Sequence, residues 1–164
     1  MKIIAINAGS SSLKFRLFEM PEEKVLCAGV FERIGIDNSF YTINIDGNKI
    51  KEEIVLTDHE QAVNILIQEL LDLKIIDKVD DIEGFGHRIV HGGSEYSHSV
   101  IVDDKVINDI KELSSLAPLH NPAHVLGINA VRRVLPTAKN VVVFDTAFHQ
   151  TLKSEEYMYA LPYE

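Results

Sequence analysis

Polar and charged side chains that could carry chemistry are concentrated in four short segments of the sequence. The first is Asn7-Ala-Gly-Ser-Ser-Ser-Leu-Lys14, where serine hydroxyls and backbone amides lie between a glycine and a lysine. Gly9 lets the backbone approach a ligand closely, and Lys14 supplies a point charge suited to phosphate. The segment is not a Walker A loop, because it lacks a second glycine and a strand pattern follows it. It predicts a phosphate-binding strand–turn–strand, or else a polar hairpin turn.

The second segment, Gly86-His-Arg-Ile-Val-His-Gly-Gly93, places an arginine and two histidines in an apolar strand pattern. An unpaired guanidinium is costly in apolar surroundings, so Arg88 predicts either a carboxylate or phosphate ligand or a structural ion pair. His87 and His91 are four residues apart, which on a strand separates them by about 13 Å. One metal ion cannot bridge that distance, so we do not expect a zinc site there.

The third and fourth segments lie in the last third of the chain. Leu119-His-Asn-Pro-Ala-His124 carries two histidines, which suit either a pocket wall or helix capping and packing. Asp145 follows the apolar run Val-Val-Val-Phe, where an acid can serve magnesium or a nucleophile, or can cap a helix. We find no Ser–His pattern and no nucleophilic cysteine. The four segments together favour phosphoryl transfer, which depends on positioning and charge neutralisation more than on covalent chemistry.

The composition narrows the setting in which this chemistry would take place. The chain has 164 residues, which suits one domain, and 25 acidic against 16 basic residues give a net charge of −9. That charge argues against nonspecific binding to nucleic acid or to an anionic membrane. The single Cys27 lies in an apolar run and predicts a buried, inert thiol, which fits a reducing cytoplasm. The apolar runs are too short for a signal peptide or a membrane span.

Strand patterns dominate the first third of the chain. An apolar run predicts a short buried strand over 2–7, and 25–34 is a further strand candidate. Alternation of apolar and polar residues predicts strands over 13–20 and 41–45, and another from Ile50 onward. Asp46-Gly47 between two alternating runs predicts a hairpin turn. Later in the chain we predict a strand over 81–91 and a fully buried strand over 140–145.

Helical spacing appears after residue 57. Thr57 and Glu60 form a capping-box pattern, with Thr57 as the N-cap of a first helix, and Asp103 and Asp104 precede a second. A third helix is predicted to begin with Asn121 as its cap and Pro122 at its first position, and to stop at Pro136. Its predicted buried side consists of Val125, Leu126, Val131 and Val134.

This order of elements predicts an α/β domain built on one mixed sheet flanked by helices. Sheets of this kind bind ligands at the carboxyl ends of their strands. Three of the polar segments, 7–14, 87–93 and 145–149, would follow or end such strands. We therefore expect them to lie close together.

Five motifs resemble those of the acetokinase family of short-chain carboxylate kinases, in order and over the whole chain. The Asn-Ala-Gly-Ser-Ser-Ser form is more similar to acetate and propionate kinases than to butyrate kinases. The motifs are Ile6-Asn-Ala-Gly-Ser-Ser-Ser-Leu-Lys-Phe15, Gly86-His-Arg-Ile-Val-His-Gly-Gly93, Ala117-Pro-Leu-His-Asn-Pro122, Val143-Phe-Asp-Thr-Ala-Phe-His-Gln-Thr151 and Tyr159-Ala-Leu-Pro-Tyr-Glu164.

The resemblance implies a ribonuclease-H-like fold of the actin-like ATPase type. It implies reversible transfer of the γ-phosphoryl group of ATP to acetate, or alternatively propionate, with Mg²⁺, giving acetyl phosphate and ADP. It also implies a cytoplasmic enzyme that is a homodimer at full length, with no nucleic-acid or membrane partner.

The resemblance also implies roles for residues on the nucleotide side. By motif position, Asn7 would lie at the magnesium–phosphate end of the site. Ser10, Ser12 and Lys14 would contact the nucleotide phosphates.

On the acceptor side, the resemblance implies that Arg88 binds the substrate carboxylate or the transferring phosphoryl group. Val90 and Leu119 would line a small pocket for the acyl methyl group, with His120 near that pocket. Asp145 would be the catalytic acid residue. A short carboxylic acid has a pKa of about 4 and is already ionised at neutral pH. We therefore hypothesise that Asp145 orients Mg²⁺ or the phosphoryl group and does not act as a base.

Family members are much longer and have two similarly folded domains. The resemblance therefore implies that residues 1–164 are the N-terminal domain, and that the C-terminal nucleotide-binding domain is absent from this chain. A transition-state histidine, a second arginine, a magnesium-binding glutamate and the adenosine pocket belong to that missing part. We expect the 164-residue chain to be inactive alone.

Two other classes of function compete with the carboxylate kinase. One is a non-catalytic, actin-like nucleotide-binding module, which would have no use for Arg88 beside a Val90–Leu119 pocket. The other is a metallohydrolase that uses the histidine pairs. Zinc-free purified protein would exclude it.

Overall fold

A computed structural model of the chain describes residues 1–162, which contain eight strands and four α-helices. The strands are β1 (Lys2–Gly9), β2 (Ser12–Glu19), β3 (Lys24–Glu32), β4 (Phe40–Ile45), β5 (Asn48–Glu53), β6 (Ile82–Ile89), β7 (Val100–Ile101) and β8 (Lys139–Phe144). The helices are α1 (His59–Asp72), α2 (Asp104–Glu112), α3 (Asn121–Val134) and the short α4 (Ser154–Tyr157). Tyr163 and Glu164, at the end of the last motif, lie outside the described residues.

All eight strands form one mixed sheet in the order β5-β4-β3-β2-β1-β6-β8-β7. Strands β1 to β5 pair antiparallel with their chain neighbours. The predicted hairpin at Asp46-Gly47 is confirmed: both residues have positive φ, 50° and 86°, in the two-residue turn between β4 and β5. That conformation matches the twist of the flanking strands, which explains why Asp-Gly is found there.

Strands β1, β6 and β8 are parallel neighbours at the centre of the sheet. Their carboxyl ends therefore lie along the same edge. The two-residue β7 pairs antiparallel with β8 at the outer edge, and the sequence analysis did not predict it.

The three longer helices pack on one face of the sheet and bury it. The core there joins Ile4, Leu13 and Phe15 of the strands to Leu66 and Val131 of the helices. The opposite face carries the alternate residues of the same strands and is open. The prediction of a fully buried last strand is wrong for this reason: Val143 points to the open face and is 48% exposed.

Two helix caps differ from the predictions. Asp58 is the N-cap of α1, because its carboxylate accepts from the Gln61 amide, whereas the Thr57 hydroxyl and amide both meet the Gln61 side chain. In α3 the cap position falls on His120, and Asn121 is the first helical residue. In both motifs two adjacent polar residues were candidates for the cap, and the structure uses the one that the sequence analysis did not choose.

Asn121 serves a different purpose from the predicted cap. Its buried amide donates to the His91 carbonyl at 3.0 Å and accepts from the His91 amide at 3.3 Å. The side chain thus holds the loop that follows β6. Leu126, predicted on the buried side of α3, is exposed, whereas Val125 and Val131 are buried as predicted.

Two further predictions concern single features. Cys27 is buried, and burial raises the pKa of its thiol to about 11, which confirms an inert thiol at neutral pH. Among the helices of residues 1–162, none combines the length and hydrophobicity that a membrane span requires.

Candidate active site

The polar segments meet where the sequence analysis expected them, at the carboxyl ends of the parallel strands. Register pairs Ile6 of β1 with His87 of β6, and Ile89 of β6 with Phe144 of β8. Asp145 follows directly after Phe144. The ends of the first, second and fourth segments are therefore adjacent along one edge of the sheet.

An ion pair joins two of the predicted site residues across this edge. Arg88 Nε donates to both Asp145 oxygens at 3.0 and 3.2 Å, and Nη2 donates to Oδ2 at 2.6 Å. This bidentate hydrogen bonding raises the pKa of Arg88 above its ordinary value. The Asp145 carboxylate therefore pairs with Arg88, in place of the helix cap that the sequence left open.

The surroundings of Arg88 differ from the predicted apolar environment. Its side chain lies on the open face of the sheet and is 49% exposed, and that of Asp145 is 42% exposed. Alternation along β6 buries His87 and Ile89 instead. A guanidinium has five N–H groups, so those not used by Asp145 are free to meet an anionic ligand.

Asn7 and Lys14 share the face that carries Arg88. They are register partners in the β1–β2 hairpin, so their side chains lie on the same side of the sheet. Ile6 and Ala8, which alternate with Asn7, are buried on the helix side. The site therefore presents an amide, an ammonium and a guanidinium–carboxylate pair on one open surface.

The serine-rich turn lies at the end of this surface. Ser10 is exposed and Ser12 is half-buried. A Cβ on Gly9 would lie 2.9 Å from Ser12 Oγ, so a larger residue at position 9 would require the Ser12 hydroxyl to move. The hydroxyl of the exposed Ser10 is available to an oxygen-rich ligand.

The predicted acyl pocket is not enclosed by the part of the chain that the structure describes. Leu119 is 81% exposed, His120 is exposed and Val90 is half-buried. The His120 ring lies 6.4 Å from that of His124. A closed pocket would need further residues to cover Leu119.

The donors at this edge suit magnesium better than zinc. No group of three or more His, Cys, Asp and Glu residues within 1–162 is arranged to hold a metal ion. His87 is buried, and its Nε2 lies 2.8 Å from Asn140 Oδ1. The Asn7 amide and the Asp145 carboxylate offer oxygen, and Mg²⁺ binds few protein oxygens beside phosphates and water.

The geometry agrees with the comparison to known families. A family model described as the acetokinase family matches residues 2–164. The chain belongs to the acetokinase family. It is 57% identical over 162 residues to acetate kinase 2 of Listeria monocytogenes, and 55% identical over 163 residues to the acetate kinase of Anoxybacillus flavithermus. In both cases the match covers 99% of this chain and 41% of the relative, so the chain spans about two fifths of their length.

Solved acetokinase structures share the fold. The acetate kinase of Porphyromonas gingivalis aligns with a TM-score of 0.91 at 42% identity, over 99% of this chain and 41% of that one. A propionate kinase from Francisella tularensis aligns with a TM-score of 0.86 at 36% identity, over the same shares. The prediction of an actin-like mixed sheet flanked by helices is thereby confirmed, with α1, α2 and α3 on one face.

Several residues that connect the elements around this edge did not stand out in the sequence. Thr146 Oγ1 accepts from the Gly92 amide at 3.0 Å and so joins the loop after β6 to the turn after β8. His59 and His124 bond backbone carbonyls at the end of β1. Thr146 and His124 fell within the polar segments named above, but no local signal identified their partners.

His87 should make the stability of this acetokinase domain depend on pH. Burial lowers the pKa of His87 from 6.5 to about 4. The unfolded chain therefore binds a proton below pH 6.5 that the folded chain excludes, so stability present above pH 6.5 is lost as pH falls toward 4. Between pH 7 and pH 5, the free energy of unfolding in urea should fall by about 2 kcal/mol more in the unsubstituted chain than in the His87→Gln variant. The control is His98→Gln, which removes an exposed histidine. Equal pH slopes for the chain and His87→Gln would contradict this.

Proposed function

We propose that residues 1–164 form the N-terminal domain of a kinase that transfers the γ-phosphoryl group of ATP to acetate. The observation that carries this proposal is the Arg88–Asp145 pair on the same face and edge as Asn7 and Lys14. Family membership supports it, since the named relatives are acetate and propionate kinases. A simple nucleotide-binding module would not need this guanidinium at the acceptor end.

The serine-rich turn and Lys14 would bind the phosphates of the nucleotide. Ser10 and Ser12 supply O–H groups, and the turn supplies backbone N–H groups. Lys14 lies on the open face beside Asn7, its register partner in the neighbouring strand, and adds positive charge. Phosphoryl transfer gains most of its rate from such positioning and neutralisation.

The acceptor would bind at Arg88. The N–H groups of Arg88 that Asp145 does not use form a planar donor set that matches a carboxylate. Val90 and Leu119 would contact the acyl methyl group, with His120 beside them. Because Leu119 is exposed, closing this pocket in our proposal requires further residues to cover it.

The reaction needs no proton transfer. A carboxylate oxygen of acetate forms a bond to the γ-phosphorus while the bond from that phosphorus to the ADP oxygen breaks, which gives acetyl phosphate and ADP. Acetate is already ionised at neutral pH. Asp145 would therefore hold Arg88 and the phosphoryl region in place by charge and hydrogen bonding.

Magnesium fits the oxygen donors at this edge. Asn7 and Asp145 would hold Mg²⁺ together with phosphate oxygens and water, and the ion would neutralise charge on the phosphates. The Asn7 side chain is half-buried at the sheet edge and shares its face with Lys14. Asp145 combines magnesium and arginine contacts in this proposal.

The coverage of the relatives suggests what lies outside this domain. The chain matches 41% of their length, so we propose that a C-terminal domain supplies the adenosine site and completes the active site. The 164-residue chain would then be inactive alone. We further propose that the full-length enzyme is a cytoplasmic homodimer.

The first measurement is the intact mass of the native gene product, because a mass well above 18.4 kDa would support the two-domain proposal.

The second experiment traps the acyl phosphate. The native gene product is incubated with Mg²⁺, ATP, hydroxylamine and either acetate or propionate. Hydroxamate supports the kinase, and the ratio of initial rates identifies the preferred acid. ATP hydrolysis without hydroxamate would support the nucleotide-binding module. Hydroxamate formation by residues 1–164 alone would contradict the expected inactivity.

A further inference from the structure

Two buried histidines hold the strand end from which the serine-rich turn begins. His59 Nε2 lies 2.7 Å from the Gly9 carbonyl oxygen, and His124 Nδ1 lies 2.8 Å from the Ala8 carbonyl oxygen. The histidines come from different helices, α1 and α3. The register of β1 with β6 ends at Ile6, so Ala8 and Gly9 extend past that neighbour.

The chemistry of the carbonyl fixes the proton on each ring. A carbonyl oxygen only accepts, so His59 carries its proton on Nε2 and His124 on Nδ1. Within residues 1–162, His124 Nε2 is buried without a hydrogen-bond partner. Burial also lowers the pKa of His124, which favours the neutral ring.

This half-satisfied ring is not explained by packing alone. Burying a polar nitrogen without a partner is unfavourable, and an apolar side chain would fill the same space without that penalty. What a histidine adds at position 124 is the Nδ1 donor directed at Ala8. The fold therefore tolerates an unpartnered Nε2 in order to keep the hydrogen bond from Nδ1 to the Ala8 carbonyl.

Close packing restricts the same strand end further. Gly127 lies one turn after His124 in α3, and a Cβ on it would be 2.5 Å from the Ala8 Cβ. The helix backbone is thus pressed against Ala8. Together, α1 and α3 fix two consecutive carbonyls from the buried side of the sheet.

The direction of a carbonyl sets the direction of the next amide. In a trans peptide, the C=O and the following N–H point in opposite directions. Because the Gly9 carbonyl is held toward α1, the Ser10 amide points away from that helix. A phosphate attracts an N–H group and repels a carbonyl oxygen, so this orientation favours an anionic ligand.

We propose that His59 and His124 are positioning residues that hold the Ala8 and Gly9 carbonyls so that the serine-rich turn presents its donors to the phosphates of ATP. This inference rests on the proposed kinase function. Neither histidine contacts the reacting atoms in this proposal. Each acts through the backbone of the turn.

Asparagine and glutamine provide matched variants. The Asn amide nitrogen lies near the position of His Nδ1, and the Gln amide nitrogen near that of His Nε2. His59→Gln and His124→Asn therefore keep the donor, whereas His59→Asn and His124→Gln displace it. The four variants of the full gene product are compared by the hydroxamate assay, and thermal unfolding verifies that each is folded.

We expect the two displaced-donor variants to lose about 10²-fold in kcat/KM for ATP, while KM for acetate changes less than about threefold. The two donor-keeping variants should stay within about threefold of the parent in both parameters. If the histidines were purely structural, the kinetic parameters for ATP and for acetate would change to the same extent. The Asn and Gln variants at each position would also show the same loss.

Several outcomes would overturn the inference. Equal losses of kcat/KM in the Asn and Gln variants, or equal changes in the kinetic parameters for ATP and acetate, would show that both histidines serve only in packing. If the position-124 variants do not fold, the pair at His59, the first residue of α1, gives the answer. If the parent protein forms no hydroxamate, the proposed function and this inference are both refuted. If the parent is active and the variants keep its activity, only the inference is refuted.

Discussion

Replacing Arg88 with alanine should lower kcat/KM for acetate about 10³-fold in the full gene product, with KM for ATP changed less than about threefold. The reason is the arrangement at the carboxyl ends of β6 and β8, where Arg88 uses Nε and Nη2 on Asp145. Its other N–H groups are the planar donors available to the acceptor. Their removal leaves the carboxylate of acetate without its counter-charge.

Arg88→Lys separates charge from geometry. Lysine keeps one positive charge, but it cannot donate from a planar fork to Asp145 and to a substrate at once. We expect an intermediate loss of about 10²-fold in kcat/KM for acetate. Initial rates of hydroxamate formation at varied acetate and at varied ATP measure both effects.

The matched control is another exposed arginine–aspartate pair. Arg132 donates to Asp104 at 2.8 Å on the helical side of the domain. Exposed ion pairs of this kind contribute only about 0–1 kcal/mol to stability, so Arg132→Ala should leave the kinetics within about twofold. Two results would contradict the acceptor role: Arg88→Ala leaves the kinetics as little changed as Arg132→Ala does, or it raises the KM for ATP as much as that for acetate. Either would mean that Arg88 only forms a structural ion pair.

The sequence predicted the fold well where local patterns determine structure. Alternation along 13–20 and the Asp46-Gly47 turn are decided by neighbouring residues, and the structure confirms both. The meeting of the polar segments followed from strand order, because parallel central strands must end at one edge. No residue-level contact was needed for that prediction.

Predictions failed where a distant element decides the outcome. Asn121 looked like a cap, but its amide instead bonds His91 in the loop after β6. Val143 looked buried, but the described helices cover only the other face of the sheet. Apolar composition alone cannot tell which faces of a strand are covered.

The pairing of Arg88 with Asp145 belongs to the same category. The two residues are 57 positions apart, and the sequence left both a structural ion pair and a ligand site open. The structure forms the ion pair and leaves part of the guanidinium exposed, so the ion pair is confirmed and the ligand site stays a prediction. The roles of His59 and His124 were hidden because each depends on a backbone carbonyl far away in the chain.

Asp145→Asn should lower kcat about 10³-fold at every pH at which the protein is folded. Asparagine has nearly the same shape, but its amide nitrogen would face an Arg88 N–H group where a carboxylate oxygen now accepts at 2.6 Å. The substitution thus removes a charge and replaces one hydrogen bond with a contact between two donors, because a guanidinium cannot accept. Both changes act on position and charge, which do not depend on a proton leaving the substrate.

The pH profile distinguishes this role from that of a base. A base that removes a proton would lose its effect in one limb of the profile, whereas a positioning carboxylate affects the whole of it. The Mg²⁺ concentration for half-maximal rate should also rise about tenfold, since Asp145 is proposed to share the ion. The control Asp104→Asn removes the carboxylate of the other arginine pair and should change neither measurement.

Loss of a single pH-dependent limb, with the parent's Mg²⁺ dependence retained, would assign Asp145 as a base and refute positioning. That result would conflict with the acidity of the substrate, because a carboxylic acid with a pKa of about 4 has no proton to give at neutral pH. A pH-independent loss with weakened Mg²⁺ dependence would instead connect the Arg88–Asp145 pair to both halves of the reaction. Asp145 would then fix the guanidinium that receives the acceptor, and its charge would help to hold the phosphoryl group in line with it.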